Sequence, residues 1–92
     1  MKADYLVCYD ITAPGRLARV YRYMRQRGVH LQYSVFHCRL TWPELQRLKQ
    51  GLAELIRADE DDVRIYPVPA AGPTHVLGRG DRVPGGVDLY LE

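Results

Sequence analysis

Asp10 closes the apolar, β-prone run Tyr5-Leu6-Val7-Cys8-Tyr9 and stands just before the turn Thr12-Ala13-Pro14-Gly15. Beyond that turn come Arg16, Arg19, Arg22, Arg25 and Arg27, uninterrupted by an acid. A carboxylate at the mouth of a strand beside such a series is placed to hold a hard cation against a phosphate. Magnesium suits this role, because it prefers oxygen ligands, keeps several waters and needs only one or two protein carboxylates. The structural alternative is an Asp that accepts hydrogen bonds from the turn that follows it. The arginines likewise have two roles open to them, a solvated helix face or a surface for a polyanion. Arg16 and Arg19, nearest the Asp10 end, are the candidates for nucleic-acid contact.

The elements that must position these groups follow from periodicity. Residues 4–11 read as a strand covered on both faces, since the run is almost wholly apolar. Residues 15–27 read as a helix whose apolar stripe is Leu17, Val20, Tyr21 and Met24, with all five arginines outside it and Gly28 as its stop. Residues 29–40 are β-prone throughout and form either one long strand or two short strands bent near Ser34. Thr41 and Glu44 have capping-box spacing, and Pro43 falls in the first turn of a helix that runs to about residue 58. Its buried face is Leu45, Leu48, Leu52, Leu55 and Ile56, and Gly51 weakens it slightly. The acidic run 59–62 lacks the alternating ligands and Gly of a calcium loop and reads as a solvated turn. Residues 63–68 form a further strand, which Pro67 places at a sheet edge.

The order β-α-β-β-α-β predicts an α+β, ferredoxin-like sandwich over residues 1–68. Residues 69–92 form a tail holding the short apolar pieces His75-Val76-Leu77 and Val87-Asp88-Leu89-Tyr90-Leu91, each suited to add as an edge strand. Two helices cover one sheet face, and the remaining 92-residue inventory leaves only the tail or a second copy for the other. A homodimer with sheets packed face to face is therefore expected.

Composition excludes several classes. No apolar run approaches membrane-span length, and the N-terminus carries no signal-peptide pattern, which suggests a cytoplasmic protein. Cys8 and Cys38 lack metal-site spacing and read as small buried side chains, and His30, His37 and His75 are not clustered. Residues 1–58 carry ten Lys/Arg against four Asp/Glu, whereas residues 59–92 carry three against seven. That asymmetry points to nucleic-acid contact on the front half of the chain.

Three segments carry a more specific signal: Tyr9-Asp10-Ile11, Gln32-Tyr33-Ser34-Val35-Phe36 and Asp62-Val63-Arg64-Ile65-Tyr66. In this order and spacing they resemble the CRISPR-associated "Cas-two" family, the small partner of the CRISPR spacer-acquisition integrase, over residues 4–68. The resemblance implies a ferredoxin-like homodimer that binds nucleic acid and bridges CRISPR integrase dimers while holding duplex DNA. It also implies magnesium-dependent cleavage of RNA or duplex DNA, with Asp10 as catalytic residue and metal ligand. Tyr9, Ser34 and Phe36 would stand near the site as support. Phe36 reads as core, while Ser34 either hydrogen-bonds near Asp10 or satisfies backbone at the bend. A two-fold axis could bring both Asp10 carboxylates to one Mg2+. A ribonuclease toxin of related fold and a non-catalytic nucleic-acid-binding module are the competing functions. Residues 35–40 lack the Gly-containing aromatic pattern that RNA-recognition modules use for stacking.

Overall fold

In the computed structural model, which describes residues 1–69, the element order is β1 (Ala3–Asp10), α1 (Pro14–Arg25), β2 (Val29–Gln32), β3 (Val35–Leu40), α2 (Trp42–Leu55) and β4 (Asp62–Val68). The four strands form one antiparallel sheet in the order β2-β3-β1-β4, the expected ferredoxin-like topology. The edge strands expected within 75–77 and 87–91 lie outside the described residues.

Residues 29–40 are two strands. The break falls at Ser34, whose φ of 90° lies in the left-handed region that side chains other than glycine seldom adopt. The Ser34 carbonyl accepts from the Tyr9 N–H at 3.1 Å, so the turn ties itself to the end of β1.

Strand alternation sorts β1 into two faces. Val7 and Tyr9 point at the helices and join Phe36, Cys38, Val20, Met24, Leu48 and Leu52 in the core. Leu6 and Cys8, on the other face, are half-buried within the single chain. Cys8 and Cys38 are both free thiols. Burial pushes Cys38 up to about 11, which keeps it a neutral thiol at physiological pH.

α1 opens with Pro14 in its first turn, has no side-chain cap, and ends with Arg22 and Arg25 beside its negative pole, where cations are favoured. Gly28 serves a purpose other than the expected stop, since the helix has already ended at Arg25. A Cβ at Gly28 would lie 2.5 Å from the His37 carbonyl oxygen and 2.6 Å from Cys38 Sγ. Glycine is needed there for close approach to β3. Gly51 likewise makes room rather than merely weakening α2, because a Cβ would collide with the Tyr23 hydroxyl.

The capping box is present as predicted. Thr41 Oγ1 accepts from the Glu44 N–H at 3.3 Å, and Glu44 Oε1 accepts from the Thr41 N–H at 2.7 Å. Thr41→Ala is expected to cost about 1 kcal/mol, seen as a lower urea midpoint with an unchanged slope. α2 ends at Leu55, three residues before the expected boundary, and its fully buried positions are Leu48 and Leu52.

Candidate metal and nucleic-acid site

The site is built where β1 and β4 end together. Asp10 is exposed, and its register partner across the two strands is Asp62. Like charges directly opposite on antiparallel strands destabilise the pair. Two hard oxygen donors held together in this way fit a magnesium ion, which would relieve the repulsion. Asp62 is partly neutralised by Arg64, whose Nε donates to its Oδ2 at 2.9 Å. Asp10 has no hydrogen-bond or ion-pair partner of its own among the described residues. It is therefore the available anionic ligand, and the reading in which it accepts from its own turn is not what the structure shows. Among the described residues no group of three or more His, Cys, Asp or Glu side chains converges on one point.

The acid of the following loop takes a role that sequence spacing did not indicate. Asp61 is expected in a solvated turn, yet its side chain has no exposed surface. Arg16 Nε donates to Asp61 Oδ2 at 2.9 Å, the Arg57 N–H donates to the same oxygen at 2.8 Å, and the Thr12 N–H donates to Oδ1 at 2.9 Å. Arg16 also reaches Glu60 Oε1 at 2.8 Å, and the Thr12 hydroxyl donates to the Glu60 carbonyl at 2.7 Å. This latch fastens the loop after β1 to the loop before β4. The Arg16 guanidinium, with the Arg57 and Thr12 amides, holds the Asp61 carboxyl well below the usual carboxylate range.

A depressed carboxyl stabilises the fold fully above its unfolded value, about pH 4, and loses that contribution as the pH falls towards its folded value. Asp61→Asn is therefore expected to lower the urea midpoint at pH 7. The gap to the parent chain should narrow steadily in titrations below about pH 4.

The latch bears directly on Arg16. Its side chain is only 14% exposed, so a phosphate there would have to displace two carboxylates. Arg19 has no ion-pair partner among the described residues, and its guanidinium leans back to within 3.8 Å of where a Gly15 Cβ would stand. Of the two arginines, it is the one left open towards the Asp10 end of α1.

The remaining candidates fall on the other side of the sheet from Asp10. The Tyr9 and Phe36 rings stack at a centroid distance of 6.2 Å within the core, and Phe36 also packs on Tyr21 and His30. Burial, with Tyr21 and Tyr33 nearby, pushes Tyr9 up to about 12, so its phenol stays protonated at neutral pH and cannot act as a base. Ser34 contributes its backbone carbonyl and turn geometry. Tyr9, Tyr21, Tyr33, Leu17 and Pro14 line an apolar cleft of about 250 Å³ on this helix side. His37 is buried, and its Nε2 lies 2.9 Å from Asp4 Oδ1, at the opposite end of β1 from Asp10.

Asp62, the register partner of Asp10, is not among the candidates that the sequence points to, because the acidic run 59–62 reads as a solvated turn. The signal that could have found it is its position as the first residue of a strand antiparallel to the one Asp10 ends.

No helix among the described residues is long and apolar enough to cross a membrane. The sequence profile of the CRISPR associated protein Cas2 family matches residues 3–73. A protein of Thermodesulfovibrio yellowstonii named CRISPR-associated endoribonuclease Cas2 2 is 53% identical over 90 residues, covering 98% of this chain and 99% of the relative. A crystal structure of a hypothetical protein from Thermus thermophilus superposes with a TM-score of 0.78 at 36% identity, covering 85% of this chain and 93% of that one. A crystal structure described as cas2 gives a TM-score of 0.74 at 27% identity, covering 99% of this chain and all of the other (100%).

Proposed function

From the premise that this chain belongs to the CRISPR-associated Cas2 family, we propose that it works as a homodimer that binds nucleic acid and cleaves phosphodiester bonds with the help of Mg2+ at Asp10. The observation that carries this reading is the exposed Asp10, without a partner among the described residues, set against Asp62 at the shared end of β1 and β4. The names of the relatives support RNA as a substrate; duplex DNA belongs to the same proposal through a role in CRISPR spacer acquisition beside integrase dimers.

The residues divide the work as follows. Asp10 supplies the anionic oxygen that holds the cation. Arg19 positions a phosphate at the mouth of the strand, as a guanidinium without a carboxylate partner can. Arg16 keeps the Thr12 loop against Glu60 and Asp61, and so fixes where Asp10 stands. When bound, magnesium would polarise the phosphoryl oxygens and lower the pKa of a coordinated water. A second copy related by a two-fold axis would add a second Asp10, completing a site that one chain leaves with few ligands.

The five arginines that follow Asp10 without an intervening acid favour, as the second reading, a scaffold that holds nucleic acid without cutting it. The test is cleavage of end-labelled RNA and duplex DNA by the full chain in Mg2+ and in excess chelator, with the mass of the same sample measured by sedimentation. Cleavage in Mg2+ alone by a species of twice the chain mass supports the nuclease. Binding without cleavage under both conditions would leave the scaffold, and a monomeric mass would remove the two-fold site.

A further inference from the structure

The end of the molecule opposite Asp10 carries a second basic feature that the proposed site does not use. β1 alone separates the two ends by about 23 Å, at the rise of an extended strand. There a pocket of about 390 Å³ is walled by Lys2 before β1, Arg27 after α1, Arg39 near the end of β3 and Arg47 in α2. Four cations thus meet from four separate parts of the chain, and Glu44 is the one carboxylate among the lining residues. Glu44 is already occupied, accepting from the Thr41 N–H at 2.7 Å and lying 3.8 Å from Lys2 Nζ. Arg27, Arg39 and Arg47 have no ion-pair partner among the described residues. Converging cations repel one another, and an anion seated among them relieves that repulsion.

The pocket is shaped in advance. The Tyr23 hydroxyl lies 3.4 Å from the carbonyl oxygens of both Arg47 and Leu48, which ties α1 to α2 at the pocket floor. Gly51 leaves the space that this crossing needs. Arg27 Cζ lies over the Tyr23 ring, 3.6 Å from its centroid, and its Nη1 donates to the Tyr23 carbonyl at 2.8 Å. One edge of the guanidinium is thereby fixed and its other N–H groups are left to a ligand. A planar fork of donors held in place matches phosphate oxygens. The volume exceeds what a bare phosphoryl group fills, so a group esterified to it would fit as well.

We propose that this pocket is an anion site for a phosphoryl group, independent of Asp10 and of magnesium. The phosphoryl group can come from a terminal phosphomonoester or from a backbone phosphodiester, and the experiment separates the two. The full chain, with chelator present, is titrated with inorganic pyrophosphate and followed by amide chemical shifts and calorimetry. The amides of Tyr23, Gln26, Arg27, Arg47 and Leu48 are expected to shift together. Arg27→Gln/Arg47→Gln is expected to weaken binding by at least about tenfold, the order that follows loss of a charge-assisted hydrogen bond.

Lys2→Gln, ahead of β1, provides a second variant that spares the helix crossing and should weaken binding in the same direction. Short oligonucleotides with and without a 5′-phosphate then compete with pyrophosphate. Competition by the phosphorylated form alone assigns the terminal group, and equal competition assigns the backbone. Shifts confined to residues around Arg19, or an affinity unchanged in both variants, would overturn the site. Chelator removes magnesium throughout, so failure of the nuclease reading leaves this result standing.

Discussion

Asp10→Asn is expected to lower magnesium-dependent cleavage by on the order of a thousandfold, since a Lewis-acid cation contributes several kcal/mol to a phosphoryl-transfer barrier. The substitution keeps the side chain's size and one oxygen while removing the charge that holds the cation. Asp10 is exposed and has no partner among the described residues, so the fold loses nothing by the change. It gains slightly, by at most about 0.2–1 kcal/mol, because Asp10 and Asp62 no longer carry like charges opposite each other in the register. A variant that is inactive yet equally or more stable in urea therefore assigns Asp10 to chemistry. Loss of activity together with loss of stability would instead make it structural, and undiminished cleavage would place the metal elsewhere. Asp62→Asn should have a smaller effect, because Arg64 already holds that carboxylate at 2.9 Å.

Phe36→Ala is expected to remove about 3–5 kcal/mol of stability, the usual cost of emptying a buried aromatic site. Small domains have only about 5–15 kcal/mol in total, so the variant should be close to unfolding at ambient temperature. Phe36 has no exposed surface and is among the largest fully buried side chains. It stands between Tyr9, Tyr21 and His30, at ring distances of 6.2, 5.9 and 4.8 Å. β1, α1 and β2 all rest on this one ring. Phe36→Leu keeps most of the volume and should cost less than about 1.5 kcal/mol. Urea midpoints measured at one fixed protein concentration check both values, since self-association would otherwise shift them. Equal effects of the two substitutions would show that the ring itself carries little of the packing.

Much of the frame was legible from local chemistry. The period of Leu17, Val20, Tyr21 and Met24 located α1, Thr41 and Glu44 located the start of α2, and the apolar run before Asp10 located the strand that carries it. The bend at Ser34 was one of two readings left open, and the left-handed backbone decides it. What stayed hidden depends on residues far apart in sequence. Arg16 reads as a free cation on its own helix, because Asp61 lies 45 residues away. Gly28 and Gly51 read as a stop and a weak point, because the atoms they make room for, in β3 and at Tyr23, belong to other elements. Asp62 opposite Asp10 is a matter of register, which emerges only once β1 and β4 are paired. The cations of the pole around Arg27 and Arg47 share no sequence motif at all.

The sheet order has a consequence for how the chain comes into being. β1 is the first strand made, yet in the finished sheet it lies between β3 and β4. Its partners leave the ribosome only when residues 35–40 and 62–68 have been synthesised. Pairing across so long a stretch of chain is slow, and an apolar strand waiting with an open edge is prone to pair with the wrong neighbour. Closure of β1 on β4 is the event that sets Asp62 against Asp10, and the latch from Arg16 to Asp61 can form only once the same stretch has emerged. The carboxylates that would gather a cation therefore do not exist as a pair in any partly made chain. A nascent molecule is without the pairing of Asp10 and Asp62 until β1 and β4 have closed on each other.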